Sequence, residues 1–484
     1  MQRNNQVGDD ELHCLDVWWC PDEQQENLVT NRDPGAKRKR PRFDMYVLDV
    51  SYFSGKLEAY FRYKRIPFRR IEVTWAQWAK LGDNVGLMQV PLVFDRQLKL
   101  WLRDTTSIIE LFEAKPQQYG ISYPDRVVIP NRKAQAQFFG ALLEEYADEW
   151  LWLPALYYRW GKKLDAGNLA RIFQNADFLR DGSPLYLPKP IGEIAVIDRQ
   201  YEEYVRQGGV VDAAGERYVE DVFENTLNCL EAHFSHMPFI LGWRPTFADF
   251  GFMASMFRHF ANDPTPAKYM RLKAPGVYEW VARMWNSATL DGSDNPCETG
   301  FPYTLEPILV NVCRVYLPYL IANARAVIED LDECSVGPLR MKPLAFRAWT
   351  ALNLVTQWEA IDNGEQLQIL EYLNGLNLRV SFTEFLDAKK LFVRGAKLWT
   401  AGQSTPPPFC PKDGSGQLRI YSKLFGTPNH EQVFIPSTTK LLKSSTLITI
   451  ISLILLRYRP ASRMPILYAL VTLVFWNKVQ NLYK

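Results

Sequence analysis

The chain reads as a small layered α/β domain followed by a larger all-helical region. Two patterns and two breaks predict this. A β-α-β-α-β-β-α succession runs over about seventy residues, and helical apolar spacing dominates from residue 131 to about 430. A polar leader and a basic apolar tail flank these blocks. The expected organisation is a disordered leader over 1–43, an α/β domain over 44–116 and a helical domain over 125–290. A helical extension over 300–430 and a basic apolar tail over 437–484 complete it.

The elements follow in order. Met45-Tyr46-Val47-Leu48-Asp49-Val50 reads as a buried strand. Leu57, Tyr60, Phe61 and Lys64 then fall at i, i+3, i+4 and i+7, which puts three apolar side chains on one helical face. Ile66-Pro67 stops that helix, because proline disfavours the helical region for the residue before it. Phe68 to Val73 suggests a second strand and Trp75 to Leu81 a short helix. Pro91-Leu92-Val93-Phe94-Asp95 and Leu98-Lys99-Leu100-Trp101-Leu102 form a hairpin pattern. Asp104 then caps a helix carrying Ile108, Ile109, Leu111 and Phe112.

Beyond residue 131 the spacing is mostly helical. The stretch 162–200, rich in Gly, Pro and Asp, reads as a long loop or insertion. Thr246-Phe247-Ala248-Asp249 has the form of a capping box with Asp in place of Glu. Glu144 to Trp160 is dense in aromatics (Tyr146, Trp150, Trp152, Tyr157, Tyr158, Trp160), a stripe that suits a helical core more than a pocket wall. His233 and His236 lie near a helix end and read as structural or surface residues. A Pro/Gly cluster at 402–416 ends the compact part.

Composition narrows the function. Hydrophobic residues at 47% and charged residues at 23% are those of a globular protein of 484 residues, and a net charge of +2 argues against a protein-wide nucleic-acid footprint. Seven scattered cysteines without Cys-x-x-Cys pairs, and five dispersed histidines, present no metal-ligand spacing, so no metal is expected. Free thiols and a polar start fit a cytoplasmic location. The run Lys37-Arg38-Lys39-Arg40-Pro41-Arg42 reads as a solvated linker, with a nuclear import signal as the rival. The tail holds seven Lys/Arg and no Asp/Glu. Its apolar runs Leu447–Leu456 and Pro465–Trp476 are each too short for a membrane span of ~20 residues. Membrane contact through 446–476 is the less favoured reading of the tail, beside a terminal segment unrelated to the fold.

Three short segments carry chemistry. A proline at the start of a strand, Val90-Pro91, is where a cis bond would expose the main chain of Val90 to an extended peptide. A helix N-terminus at Asp104-Thr105 suits a carboxylate. A hydroxyl just after the first strand, at Ser51, can donate to a thiolate. Together they describe a pocket for a small, acidic, thiol-bearing peptide. A thioredoxin-type disulfide reductase would need cysteine at 51 or 54, and both are serine.

As a set, these segments resemble the cytosolic glutathione transferase superfamily over roughly residues 45–290. Ser51 through Phe68 is similar to its first strand-turn-helix, with a Ser-x-x-Ser pattern running to Ile-Pro-aromatic. Gln89-Val90-Pro91 looks like its Val-Pro element, and Asp104-Thr105 stands where the family usually has Glu-Ser. Phe239-Ile240-Leu241-Gly242 through Pro245-Thr246-Phe247-Ala248-Asp249 is similar to its C-terminal-domain capping motif. The resemblance implies a thioredoxin-like domain joined to an all-helical one, with glutathione as co-substrate, a small apolar electrophile as second substrate, and often a homodimer. It also implies site roles. Ser51 or Tyr52 would activate the thiol, Gln89, Val90 and Pro91 would hold the cysteinyl backbone, and Asp104 and Thr105 the γ-glutamyl end. The alternative is a non-catalytic interaction or membrane-associated module of the same fold, as in metaxin-like proteins.

Overall fold

In the computed structural model, residues 17–19, 40–73, 81, 85, 89–121, 128, 134–162, 165–166, 197–289, 301–401 and 407–408 are described. All belong to one unit, residues 1–427. The expected helix at Trp75 to Leu81, apart from Leu81 itself, and most of the 162–200 insertion lie outside the described residues, as does the whole tail.

Strands β1 (Val17–Trp19), β2 (Phe43–Val47), β3 (Phe68–Glu72), β4 (Leu92–Asp95) and β5 (Leu100–Leu102) form one sheet in the order β1-β3-β2-β4-β5. Helix α1 (Tyr52–Tyr63) crosses from β2 to the parallel β3. β4 runs antiparallel to β2 and turns back into β5, after which α2 (Thr105–Ala114) follows. A βαβ crossover beside an antiparallel hairpin and a closing helix is the thioredoxin-like topology.

Local chemistry explains these elements. The central strand β2 is apolar on both faces except for buried Asp44, which is neutralised by Arg69 (3.0 Å) and Arg96 (3.1 Å). Asp95 turns the hairpin, its Oδ1 accepting the N–H of Gln97 (2.9 Å) and Leu98 (3.1 Å) while Arg42 pairs with the same carboxylate. The expectation of a disordered leader does not hold for Val17–Trp19, which pairs antiparallel with β3. Three β-branched and aromatic residues are enough for an edge strand but too few to show a period in sequence.

The helical region begins with α3 (Ala134–Glu149) and α4 (Trp152–Leu156), which continues as a π-turn, Tyr157–Gly161. Next come α5 (Ala213–Phe234), α6 (Phe247–Ser255) with the π-turn Met256–Phe260, α7 (Pro264–Lys273) and α8 (Pro275–Trp285). The extension carries α9 (Glu306–Asn311), α10 (Leu317–Ile328), a hairpin of β6 (Cys334–Val336) and β7 (Leu339–Met341), and α11 (Ala345–Glu359). It closes with α12 (Asn363–Gly375), α13 (Arg379–Asp387) and α14 (Lys389–Ala401). The hairpin escaped the sequence pattern because its strands are three residues long, although Gly337-Pro338 marks its turn.

The Thr246 capping box forms: Asp249 Oδ2 accepts the Thr246 N–H at 2.9 Å and its hydroxyl at 2.8 Å. The other oxygen accepts Ile240 N–H and Trp280 Nε1–H, so one buried carboxylate fixes the start of α6 to α8. The aromatic stripe is core: Tyr146, Trp150, Tyr157, Tyr158 and Trp160 are all buried. His233 is structural as expected, with Nε2 3.0 Å from the Phe239 carbonyl and Nδ1 2.7 Å from the Thr304 hydroxyl.

Helix α3 is the hub, contacting α6 on one side and the extension on the other. Its Glu145 accepts from the Tyr316 hydroxyl at 2.8 Å, and Arg347 of α11 pairs with Glu149 at 3.4 Å. Burial, together with the Glu149 charge, pushes the Glu145 carboxyl up to about 8. Burial beside Glu144 pushes Glu110 up to about 7. The ordinary value for both is 4.5. Between that value and the raised ones the folded chain keeps protons that the unfolded chain has lost, so stability falls as pH rises through this window. We expect urea-unfolding free energy to drop from about pH 5 to about pH 8, by up to ~1.4 kcal/mol per pH unit for each group. Glu145→Gln should flatten that slope.

Candidate functional site

Register brings the three predicted segments to one end of the sheet. β2 pairs with β4 from Phe43↔Asp95 to Tyr46↔Leu92, and β4 with β5 from Val93↔Leu102. Continued by one or two residues, these registers set Pro91 between Val47 and Asp104. Ser51 follows Val47 by one turn of chain, its N–H donating to the Leu48 carbonyl at 3.0 Å.

The Val90-Pro91 peptide is cis. Pro91 is buried, Val90 half-buried and Gln89 exposed. Among the described residues the Val90 N–H and C=O have no hydrogen-bond partner. Those groups form a short open strand edge, able to pair with an extended peptide.

Asp104 is the N-cap of α2 and takes φ +67°, ψ 111°. A non-glycine residue there stores of order 1–3 kcal/mol of strain, a cost that clusters at ligand clamps. One oxygen, Oδ1, accepts the Ser107 N–H at 2.9 Å. Thr105 is buried as the first helical residue. The last strand is pinned from outside the domain: the Arg103 N–H donates to the Pro408 carbonyl at 2.9 Å.

Ser51 is half-buried and caps α1, its Oγ accepting the Ser54 N–H at 3.3 Å. Among the described residues its hydroxyl proton has no acceptor. Tyr52 is different. Its hydroxyl donates to the Ala147 carbonyl of α3 at 2.7 Å, and its ring packs edge-on to His259. Burial, reinforced by the Asp148 charge, holds its phenol well above the ordinary range. Of the two candidate thiol activators, Tyr52 thus has its hydroxyl proton engaged, whereas that of Ser51 has no acceptor among the described residues. One residue beyond Ser51, a step of about 100° around the helix, the Tyr52 side chain packs into the helical region.

The sequence reading missed the charges that hold this loop. Arg159 of the π-turn donates to the Val50 and Arg258 carbonyls and grips Asp263 with two N–H groups, at 2.8 and 3.0 Å. Its Nη1 lies 2.8 Å from His259 Nε2. A guanidinium only donates, so that ring nitrogen accepts and the proton sits on Nδ1, facing the Ala155 carbonyl. Burial, then the Arg159 charge, holds His259 neutral, well below its usual range. Arg258 donates to the Leu48 carbonyl at 2.9 Å and to Glu58 at 2.6 Å.

A second cluster lies between α1, α2 and α3. Lys56, with no solvent exposure, donates to Glu144 (2.5 Å), the Thr106 hydroxyl (3.0 Å) and Asp148. Burial pulls its ammonium down, but the two carboxylates outweigh this and hold it above its ordinary value. The only trace in sequence was the two i, i+4 pairs of acids, Glu144/Asp148 and Glu145/Glu149, at the end of one helix.

No family model matches the chain, and no curated protein matches it. Solved structures do. The beta-etherase LigF from Sphingobium sp. strain SYK-6 is similar at 16% identity and a TM-score of 0.35, covering 50% of this chain and 94% of that one. A glutathione S-transferase III in apo form is similar at 15% identity, TM-score 0.30, with 52% and 99% covered. A glutathione S-transferase of Ceriporiopsis subvermispora in complex with glutathione is similar at 14% identity, TM-score 0.29, again with 52% and 99% covered.

The Arg159 clamp is open to test. Arg159→Met strips the counter-charge from Asp263, which is fully buried. Leaving such a charge unpaired costs about 3–5 kcal/mol. Chemical denaturation should show a loss of that order, and the double variant Arg159→Met/Asp263→Asn should recover part of it.

Proposed function

We propose that the chain is a glutathione transferase-like protein of the cytoplasm. It would bind glutathione at the carboxyl end of β2 and activate its thiol for attack on a small apolar electrophile. The observation that supports this best is the meeting, at one end of the sheet, of three features. They are a Val90 main chain with no partner among the described residues, beside a cis proline, a strained Asp104 at a helix N-terminus, and the Ser51 hydroxyl.

Each would have one task. Val90 N–H and C=O would pair with the cysteinyl backbone as a strand edge does, with Gln89 at the rim and Pro91 shaping the edge. The α2 N-terminus, through the N–H groups and hydroxyl of Thr105, suits the γ-glutamyl carboxylate. The Asp104 oxygen not engaged by Ser107 suits the adjacent amino group. Ser51 O–H would donate to the thiolate.

The magnitudes are adequate. A free thiol titrates near ~8.5. Lowering that by about two units takes about 2.7 kcal/mol of preferential thiolate stabilisation. A hydrogen bond to a charged group supplies roughly 1.5–3 kcal/mol. The thiolate sulfur then forms a bond to carbon, and the electrophile either expels a leaving group or gains a proton after addition. The thiol proton leaves to solvent.

A non-catalytic module of the same fold is the second reading. Ser51 and Asp104 both already serve as helix caps, which gives each a structural reason to be present. Conjugation of glutathione to chlorodinitrobenzene separates the two. On the catalytic reading, Ser51→Ala keeps glutathione binding by calorimetry and loses roughly a hundredfold in kcat/KM, as removal of a single donor to a developing anion does. Ser51→Thr, which keeps the hydroxyl and the cap, recovers it, and Tyr52→Phe turns over like the wild type. Binding without turnover in any form supports the module; neither binding nor turnover removes glutathione from the proposal.

A further inference from the structure

Lys56 is used by nothing in the proposed reaction, yet it is fully buried and all three of its N–H groups are engaged. Its partners come from two other helices. Thr106 belongs to the first turn of α2, directly after Thr105; Glu144 and Asp148 lie one turn apart on α3. Thr106 is a relay: its hydroxyl accepts from Lys56 and donates to Glu144 at 2.6 Å. Lys56 itself stands on the helix that Ser51 opens, about one and a half turns in. Asp148 Oδ1 is buried with no partner among the described residues, so the cluster there has acceptor capacity left and no spare donor.

We propose that Lys56, acting through Thr106, is a positioning residue for the thiol-peptide site: it fixes the first turn of α2 relative to α1 by tying both to α3. This rests on the glutathione reading of the site. A peptide held at one end by the α2 N-terminus and at its thiol by Ser51 spans both helix starts. Ser51 stays on α1, so an error in their separation acts at the carboxylate end, where the α2 N-terminus loses its hold and binding weakens more than the chemistry at the sulfur. An apolar side chain at 56 would fill the space but would not select one rotation of α2. Three directed donors do.

Lys56→Met and Thr106→Val test this in the full chain, with Thr106→Ser as the variant that keeps the hydroxyl. Thr106→Val leaves the Lys56 pairs with Glu144 and Asp148 in place, so it is the milder change and is expected to fold even where Lys56→Met does not. The expected result is a rise of about tenfold in KM for glutathione with kcat per folded molecule nearly unchanged, recovered in Thr106→Ser. Loss of packing alone would lower the folded fraction and leave KM where it was. Amide hydrogen exchange is the second readout and needs no ligand: the amides of Ser107 and Ile108, both bonded to Asp104, should exchange faster in Thr106→Val while those of α3 stay protected. Thr106→Val with wild-type KM and wild-type exchange at α2 overturns the proposal. If the wild type does not bind glutathione, the reading of the site falls. Exchange at α2 then decides the lysine's role: faster exchange supports it, unchanged exchange rejects it.

Discussion

The ammonium of Lys56 sits where the thioredoxin-like domain meets the helical region, and the placement of three helices depends on how its charge is met. Taking an ammonium out of water costs several kcal/mol, and two carboxylates with a bridging hydroxyl offset this only in good geometry. The geometry here is good because the acids are one helical turn apart and project from the same face of α3. The desolvation cost works as a constraint: any slip of α1 along α3 would break a short buried pair, and any slip of α2 would pull the Thr106 hydroxyl out of it. Apolar contacts around it, such as Tyr60 against Phe250 at 5.6 Å, tolerate sliding far better.

The same principle recurs at the loop between β2 and α1. Its carbonyls, at Leu48 and Val50, accept from Arg258 and Arg159 of the helical region. Loop backbone is normally satisfied by water. Here it is satisfied by guanidiniums already committed to Glu58 and Asp263. The candidate site is therefore built on main chain held from behind by the second domain, and the helical region supplies rigidity to the site as well as bulk.

The extension continues this pattern outward. Tyr316, Tyr319 and Arg347 meet the far side of α3 through Glu145, Glu149 and the ring of Trp150. Helix α3 thus carries four acids, with Lys56 on one face and Arg347 on the other. Two cations do not neutralise all of them, and burial then holds a proton on Glu145 near neutral pH. The link between pH and stability follows from that imbalance.

Much of this was legible in sequence because it is local. Strand and helix order, the stop at Ile66-Pro67, and the caps at Asp104 and Thr246 depend on residues within four positions of each other, and such patterns survive without knowledge of the fold. Asp104 and Thr105 could be named for the same reason. What the chain could not disclose is anything set by contacts across tens of residues. The partner of Tyr52 lies 95 positions away and those of Lys56 lie 50, 88 and 92 away. Whether a hydroxyl at a helix start faces the sheet end or the second domain is decided by one 100° step around the helix, together with whatever packs there. Sequence by itself determined which residues could end strands and open helices. Tertiary structure alone decided which of their side chains stay free, because burial and pairing belong to the assembled interior.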